Sequence, residues 1–249
     1  MAQKKRKLRV AVTCYRIYLP TRESKLKEIL KIVDKTAKGC SPDVIVLSES
    51  IYERGLGFAG ERVPGLYVEA LKEKCIEHNC CIVANQFDRR DNGKLYNTNV
   101  FLDRQGNIAA KYDKLRIPTS EVNGGVLAGE EFLAFDTEFG KVGMEICYDL
   151  DYPEVAEGIV KNGAEIIFAS TIGDYSYEAL QSAKNCKVFM AVAGSDKYRD
   201  NDLDPSVIIN NNGEIIASVI DRTSPHSQDI EFQDGDGSFC FADIDLDAK

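Results

Sequence analysis

Three residues of this chain combine a reactive side chain with a place at the end of an apolar run: a cysteine, a glutamate and a lysine. In Gly143-Met-Glu-Ile-Cys147-Tyr-Asp-Leu-Asp-Tyr-Pro153-Glu154, residues 142–146 read as a strand that delivers Cys147 to its end. Pro153 and Glu154 then open a predicted helix, with proline at the first helical position and an acid in the first turn. A cysteine at such an elbow has its sulfur held by rigid elements. Backbone N–H groups beside it can face a developing negative charge. The same segment also reads as a buried structural thiol.

Glu49 closes Val44-Ile-Val-Leu-Ser-Glu49, where the end of a sheet removes part of a carboxylate's water. That raises its affinity for a proton toward the range of a general base. Lys114 follows a predicted strand and precedes a loop punctuated by Pro118, and Glu121 lies in that loop. Singly, the glutamate reads equally as a strand-end surface acid and the lysine as a solvated cation. Gathered at one sheet edge, the three groups would make an acyl-transfer site. The acid would take the thiol proton, the sulfur would attack a carbonyl or nitrile carbon, and the ammonium would stabilise the tetrahedral anion. Only two histidines are present, His78 near the end of a predicted helix and His226 in a polar loop. A carboxylate is therefore the better base for Cys147, and a zinc site has little support.

The elements that must position these groups are legible from periodicity. Strand patterns fall at 8–15, 43–47, 80–87, 99–102 and 108–112, then at 165–170, 188–194, 207–210, 215–220 and 238–244. Helical patterns cover 22–38, 65–78, 153–162 and 175–186, the first capped by Thr21 and ended by Gly39. Asp103-Arg-Gln-Gly106 and Asn210-Asn-Asn-Gly213 are hairpin turns. Alternating strands and helices mixed with hairpins predict a layered α/β protein with a mixed sheet or two packed sheets. Residues 229–237, acidic and glycine-bearing, are expected to be an exposed loop.

At 249 residues with 44% hydrophobic and 29% charged content, the chain is long enough for one large core without disulfides or metal. A single domain over 1–249 is expected, with residues 1–7 as a flexible N-terminal tail around Lys4-Lys-Arg-Lys7. A net charge of −9 argues against a nucleic-acid partner. No run approaches membrane-spanning length, and no secretory signal is visible. Eight cysteines without a CxxC pair then point to free thiols in a reducing, cytoplasmic setting.

The order of these motifs resembles that of the nitrilase, or carbon–nitrogen hydrolase, superfamily. Val46-Leu-Ser-Glu49 is similar to the general-base block, with Ser48 where proline is common. Lys111-Tyr-Asp-Lys114-Leu is similar to the lysine block, and the segment around Cys147 to the nucleophile block. Tyr96-Asn-Thr-Asn-Val and Ser206-Val-Ile-Ile-Asn-Asn-Asn-Gly213 also look like family strands, so the resemblance spans nearly the whole chain. It implies a four-layer αββα sandwich of two mixed sheets and a Glu49-Lys114-Cys147 triad. It further implies Glu121 as a second glutamate orienting the lysine or the substrate, and the Tyr148 backbone N–H as an oxyanion donor.

No cofactor is implied. The expected substrate is a small amide, with nitriles and N-carbamoyl compounds as alternatives. A homodimer or higher homo-oligomer is expected through the helices after the nucleophile. Ser182-Ala-Lys-Asn-Cys186 replaces the usual Arg-Ala-x-Glu-Asn of the later helix, and the loop 50–60 is unlike the better-known subgroups. A non-catalytic binding member of the fold and a thiol-redox protein are the competing classes. The intact set of Glu, Lys and Cys and the missing CxxC argue against both.

Overall fold

The computed structural model describes residues 6–15, 19–50, 52, 53, 55, 57–195, 206–221, 223–232 and 235–247. Strand β1 (Lys7–Tyr15) leads into helix α1 (Arg22–Cys40), whose first turn is capped by the Thr21 hydroxyl accepting from Ser24 N–H at 3.1 Å. Strand β2 (Val44–Val46), helix α2 (Leu66–His78) and strand β3 (Cys81–Arg89) complete a parallel β1-β2-β3 core. Strands β4 (Leu95–Leu102) and β5 (Ile108–Asp113) continue it antiparallel. Helix α3 (Thr119–Asn123) and strand β6 (Val126–Leu127) then bring the chain back beside β4.

Strands β7 (Ala134–Asp136) and β8 (Lys141–Ile146) start the second sheet. A 3-10 turn (Cys147–Asp151) and helix α4 (Pro153–Lys161) follow, then β9 (Ile166–Ser170), helix α5 (Ser176–Cys186) and β10 (Phe189–Ala193). Strands β11 (Val207–Ile209) and β12 (Ile215–Ser218) finish that sheet in the order β12-β11-β10-β9-β8-β7. Strands β13 (Ser227–Phe232) and β14 (Gly235–Asp245) return to the first sheet, whose order is β13-β14-β1-β2-β3-β4-β5.

Period-2 alternation builds the layers. On β1, Val10 and Val12 enter the core between the sheets, while Ala11 faces α1 and α2; β2 does the same with Val44 and Val46 against Ile45. Met144, Ile146, Phe168 and Ala191 meet that inner face from the second sheet, and Val155, Ile159, Ala179 and Ala183 place α4 and α5 outside it. The result is the expected αββα sandwich of two mixed sheets. Helix α4 lies so close over β8 that a Cβ at Gly143 would overlap the Ile159 side chain. Hydroxyls tie the sheets together near the strand ends: Ser170 donates to the Leu47 carbonyl at 2.8 Å, and Ser48 to that of Gly194 at 2.6 Å.

Three details differ from the sequence reading. Residues 229–237 are not an exposed loop: β13 and β14 pair in register across them, with Ile230 buried, and residues 233 and 234 lie outside the described residues. Glu121 sits on a short helix, because Pro118 sets the backbone for a turn whose N–H groups bond back to the Pro118 carbonyl. Of the tail expected over 1–7, residues 1–5 lie outside the described residues, whereas Lys7 begins β1 and the Arg6 guanidinium bonds Glu165 at 2.6 and 2.9 Å.

Candidate active site

Glu49 follows β2 by three residues, and its N–H donates to the Thr171 carbonyl at the end of β9 at 3.1 Å, so both sheets fix it. Its side chain is buried. Oε1 accepts from Lys114 Nζ at 2.9 Å and from Asn97 Nδ2 at 2.8 Å, whereas Oε2 is buried without a partner. Lys114, also buried, donates to Glu121 Oε1 at 2.6 Å. Asn97 Nδ2 lies 3.3 Å from each Glu121 oxygen. Glu49, Lys114 and Glu121 therefore converge, although 65 residues separate the first two.

Cys147 stands where β8 turns, with a φ of 46° in the left-handed region. A non-glycine residue there costs about 1 kcal/mol or more, and it marks the elbow expected at position 147. The Cys147 thiol feels the charges of both Glu49 and Lys114, and the Ile172 backbone and the Tyr175 hydroxyl favour its ionised form. Burial, reinforced by Glu49, pushes the thiol well above its usual range, so the resting sulfur holds its proton. For Lys114, burial favours the neutral amine, but Glu49, Cys147 and Glu121 outweigh it and keep the ammonium. Burial and the Glu49 charge raise the Glu121 carboxyl against the pull of Lys114.

Tyr148 is the second residue of the 3-10 turn, whose first N–H groups have no partner within such a turn. Asp149 explains how the lysine loop reaches this elbow. Its Oδ1 accepts from the N–H groups of Leu115 (3.0 Å) and Arg116 (2.8 Å), and its Oδ2 from Ile146 N–H (3.0 Å) and the Tyr112 hydroxyl (2.8 Å). Burial pushes its carboxyl up, to about 6, against the bonds from Arg116, Tyr112 and Ile146 and the charge of Lys114. Sequence reasoning assigned no role to Asn97, Asp149 or Tyr175. Asn97 and Asp149 carried a signal only as members of the quoted motifs, and Tyr175 carried none. Neither histidine joins the site: His78 bonds Asp34 at 2.7 Å between α1 and α2, and His226 packs edge-on against Phe241.

Comparison with known proteins identifies the family and the fold. The carbon-nitrogen hydrolase family model matches residues 9–233. Omega-amidase NIT2 of Xenopus tropicalis is 28% identical over 191 residues, covering 70% of this chain and 69% of that protein. The Homo sapiens omega-amidase NIT2 is 28% identical over 177 residues, with 64% of each chain covered. The matched stretches thus span about two thirds of these relatives. Among solved structures, Saccharomyces cerevisiae Nit3, a member of branch 10 of the nitrilase superfamily, superposes with a TM-score of 0.79 at 17% identity. It covers 96% of this chain and 90% of that one. A carbon-nitrogen hydrolase from Helicobacter pylori G27 gives 0.76 at 18%, covering 97% and 90%. With the family model running through Glu49, Lys114 and Cys147, the chain belongs to the carbon–nitrogen hydrolase family.

Proposed function

We propose that this enzyme is a thiol amidohydrolase that cleaves the C–N bond of a small amide through a cysteine thioester, with Glu49, Lys114 and Cys147 as its triad. The observation that carries this reading is the division of labour on Glu49: one oxygen is held by Lys114 and Asn97, and the other is buried and unpartnered. Oε2 takes the Cys147 proton as the sulfur adds to the amide carbon. Lys114 and the Tyr148 N–H hold the oxyanion, and Glu49 returns the proton to the departing nitrogen as the C–N bond breaks. Water, deprotonated by the same carboxylate, then hydrolyses the thioester and frees the thiol. Glu121 fixes the lysine from its other side.

The named relatives make ω-amides of short carboxylic acids the first substrates to test. The 249 residues act as one unit, pairing with a second copy through α4 and α5, where Tyr177 is 69% exposed. All eight cysteines are free, which fits a reducing compartment. Among the described residues no helix is long and apolar enough to cross a membrane. The test is ammonia release from a panel of ω-amides, simple amides, N-carbamoyl compounds and nitriles, with hydroxylamine trapping of the acyl-enzyme. Cys147→Ala should abolish both signals while circular dichroism is unchanged; hydrolysis at the wild-type rate would sink the reading.

A further inference from the structure

One buried set of side chains outside the triad is tied to both strand ends that carry it. Asn85 on β3 and Asn97 and Asn99 on β4 are all fully buried, and Asn85 pairs directly opposite Asn99. Asn85 Oδ1 accepts from the Ser50 N–H at 2.8 Å. Its Nδ2 donates to Asn97 Oδ1 at 2.8 Å and to Asn99 Oδ1 at 3.1 Å. Asn97 passes its own NH2 to Glu49 and Glu121, and Asn99 passes its NH2 to the Glu145 carbonyl at 3.0 Å, two residues before Cys147.

This ladder has a direction. A primary amide presents donors on one side and an acceptor on the other, and nothing within Asn97 decides which side meets the carboxylates. Because Asn85 donates to Asn97 Oδ1, the NH2 is the side turned to Glu49. The opposite orientation would set an amide oxygen against two buried carboxylates. Asn85 also reaches Glu49 through the main chain. Ser50, the next residue, has a φ of 51°, a left-handed conformation that a serine adopts only when held, and Asn85 holds its N–H.

We propose that Asn85 is a positioning residue for the general base: it fixes the turn after Glu49 and orients Asn97 so that Glu49 Oε1 is occupied and Oε2 is left for the thiol. The proposal rests on the hydrolase reading above. Groups facing Glu49 and Asn97 are Lys114, Glu121, the Cys147 thiol and the Tyr175 hydroxyl, so any shift in the pH response is read against those four.

The experiment follows alkylation of Cys147 by iodoacetamide against pH, read by peptide mass spectrometry, beside ammonia release. Asn85→Ala and Asn85→Val are expected to slow both about tenfold or more, the scale of one hydrogen bond to a charged group. They should also move the acid limb of both profiles, because Asn97 is no longer fixed with its NH2 toward the site. Asn85→Val keeps a strand-favouring side chain of comparable size and adds no titratable group, so it carries the test if the alanine variant does not fold. Asn99→Ala removes an amide from the same ladder but leaves Asn85 on Asn97; it should lower thermal stability and leave the acid limb in place. An unmoved limb in the Asn85 variants, or an equal shift in Asn99→Ala, overturns the assignment. Cys147→Ala separates the two readings. Hydrolysis that survives it removes the hydrolase itself, whereas an unmoved limb in an enzyme that needs Cys147 removes only the role of Asn85.

Discussion

Lys114 is the residue on which site chemistry and stability meet. Its ammonium lies between two buried carboxylates, 2.9 Å from Glu49 and 2.6 Å from Glu121. Removing it takes away the proposed oxyanion donor, expected to cost roughly 3 kcal/mol of transition-state stabilisation. It also leaves two buried negative charges facing each other, expected to cost about 3–5 kcal/mol of folding stability. The two losses separate experimentally. Lys114→Met should lower both kcat/KM and the urea midpoint, whereas Lys114→Met with Glu121→Gln should regain much of the midpoint and none of the activity. Recovery of hydrolysis in the double variant would show that the ammonium does not hold the oxyanion.

The elements carry a different constraint, because Lys114 lies in the first sheet's loop and Cys147 directly after β8 of the second sheet. Asp149 joins them by accepting three backbone N–H groups and one hydroxyl. An asparagine has one acceptor oxygen for these four donors. Asp149→Asn should therefore cost about 2 kcal/mol or more in stability, since buried donors are left unmatched, and turnover should fall with it. Equal stability by urea titration would mean that the loop is docked by other contacts. Beneath the same elbow, Gly143→Ala should cost about 1–3 kcal/mol, because α4 has no room for the added methyl over β8; an unchanged midpoint would mean that α4 shifts without cost.

Such docking also explains how far the sequence could be read. Period-2 and period-3.6 patterns locate β1, α1, α2, α4 and α5 to within a few residues, because burial on one face shapes those segments. The motif blocks bring out Glu49, Lys114, Cys147 and Glu121, whose side chains the fold then draws toward one end of the sandwich. Strands β6 and β7 escape because they are two and three residues long, and β13 because its acidic composition hides a pairing supplied by β14. Asn85 and Asn97 escape for another reason: in a strand an amide is simply polar. Its direction, donor one way and acceptor the other, exists only once the neighbours are in place.

At the scale of the whole molecule, two carboxyls outside the proposed triad add to the raised Asp149 and Glu121 in shaping how stability responds to pH. Glu53, in the loop after Glu49, and Glu145, on β8, are each buried with both oxygens unpartnered. Burial pushes each up to about 8, with the neighbouring Asp149 adding to Glu145 and Glu61 to Glu53, where Arg22 pulls the other way. In the unfolded chain both return to the ordinary glutamate range near 4. Between those limits the folded state binds more protons than the unfolded one, so stability falls as pH rises. The slope is at most about 1.4 kcal/mol per pH unit for each group, and it ends once pH passes the folded value. The Asp243 carboxyl, held low by the Arg9 guanidinium, acts in the opposite sense but loses its contribution only in more acidic solution, outside this window. The melting temperature should therefore decline from mildly acidic to mildly alkaline buffer. Glu53→Gln with Glu145→Gln should flatten that decline, matching the parent in acid and exceeding it in alkali, where an amide is neutral and the parent must bury charge. A double variant whose melting temperature follows the parent at every pH would mean that these two carboxyls ionise in the folded protein as readily as in water.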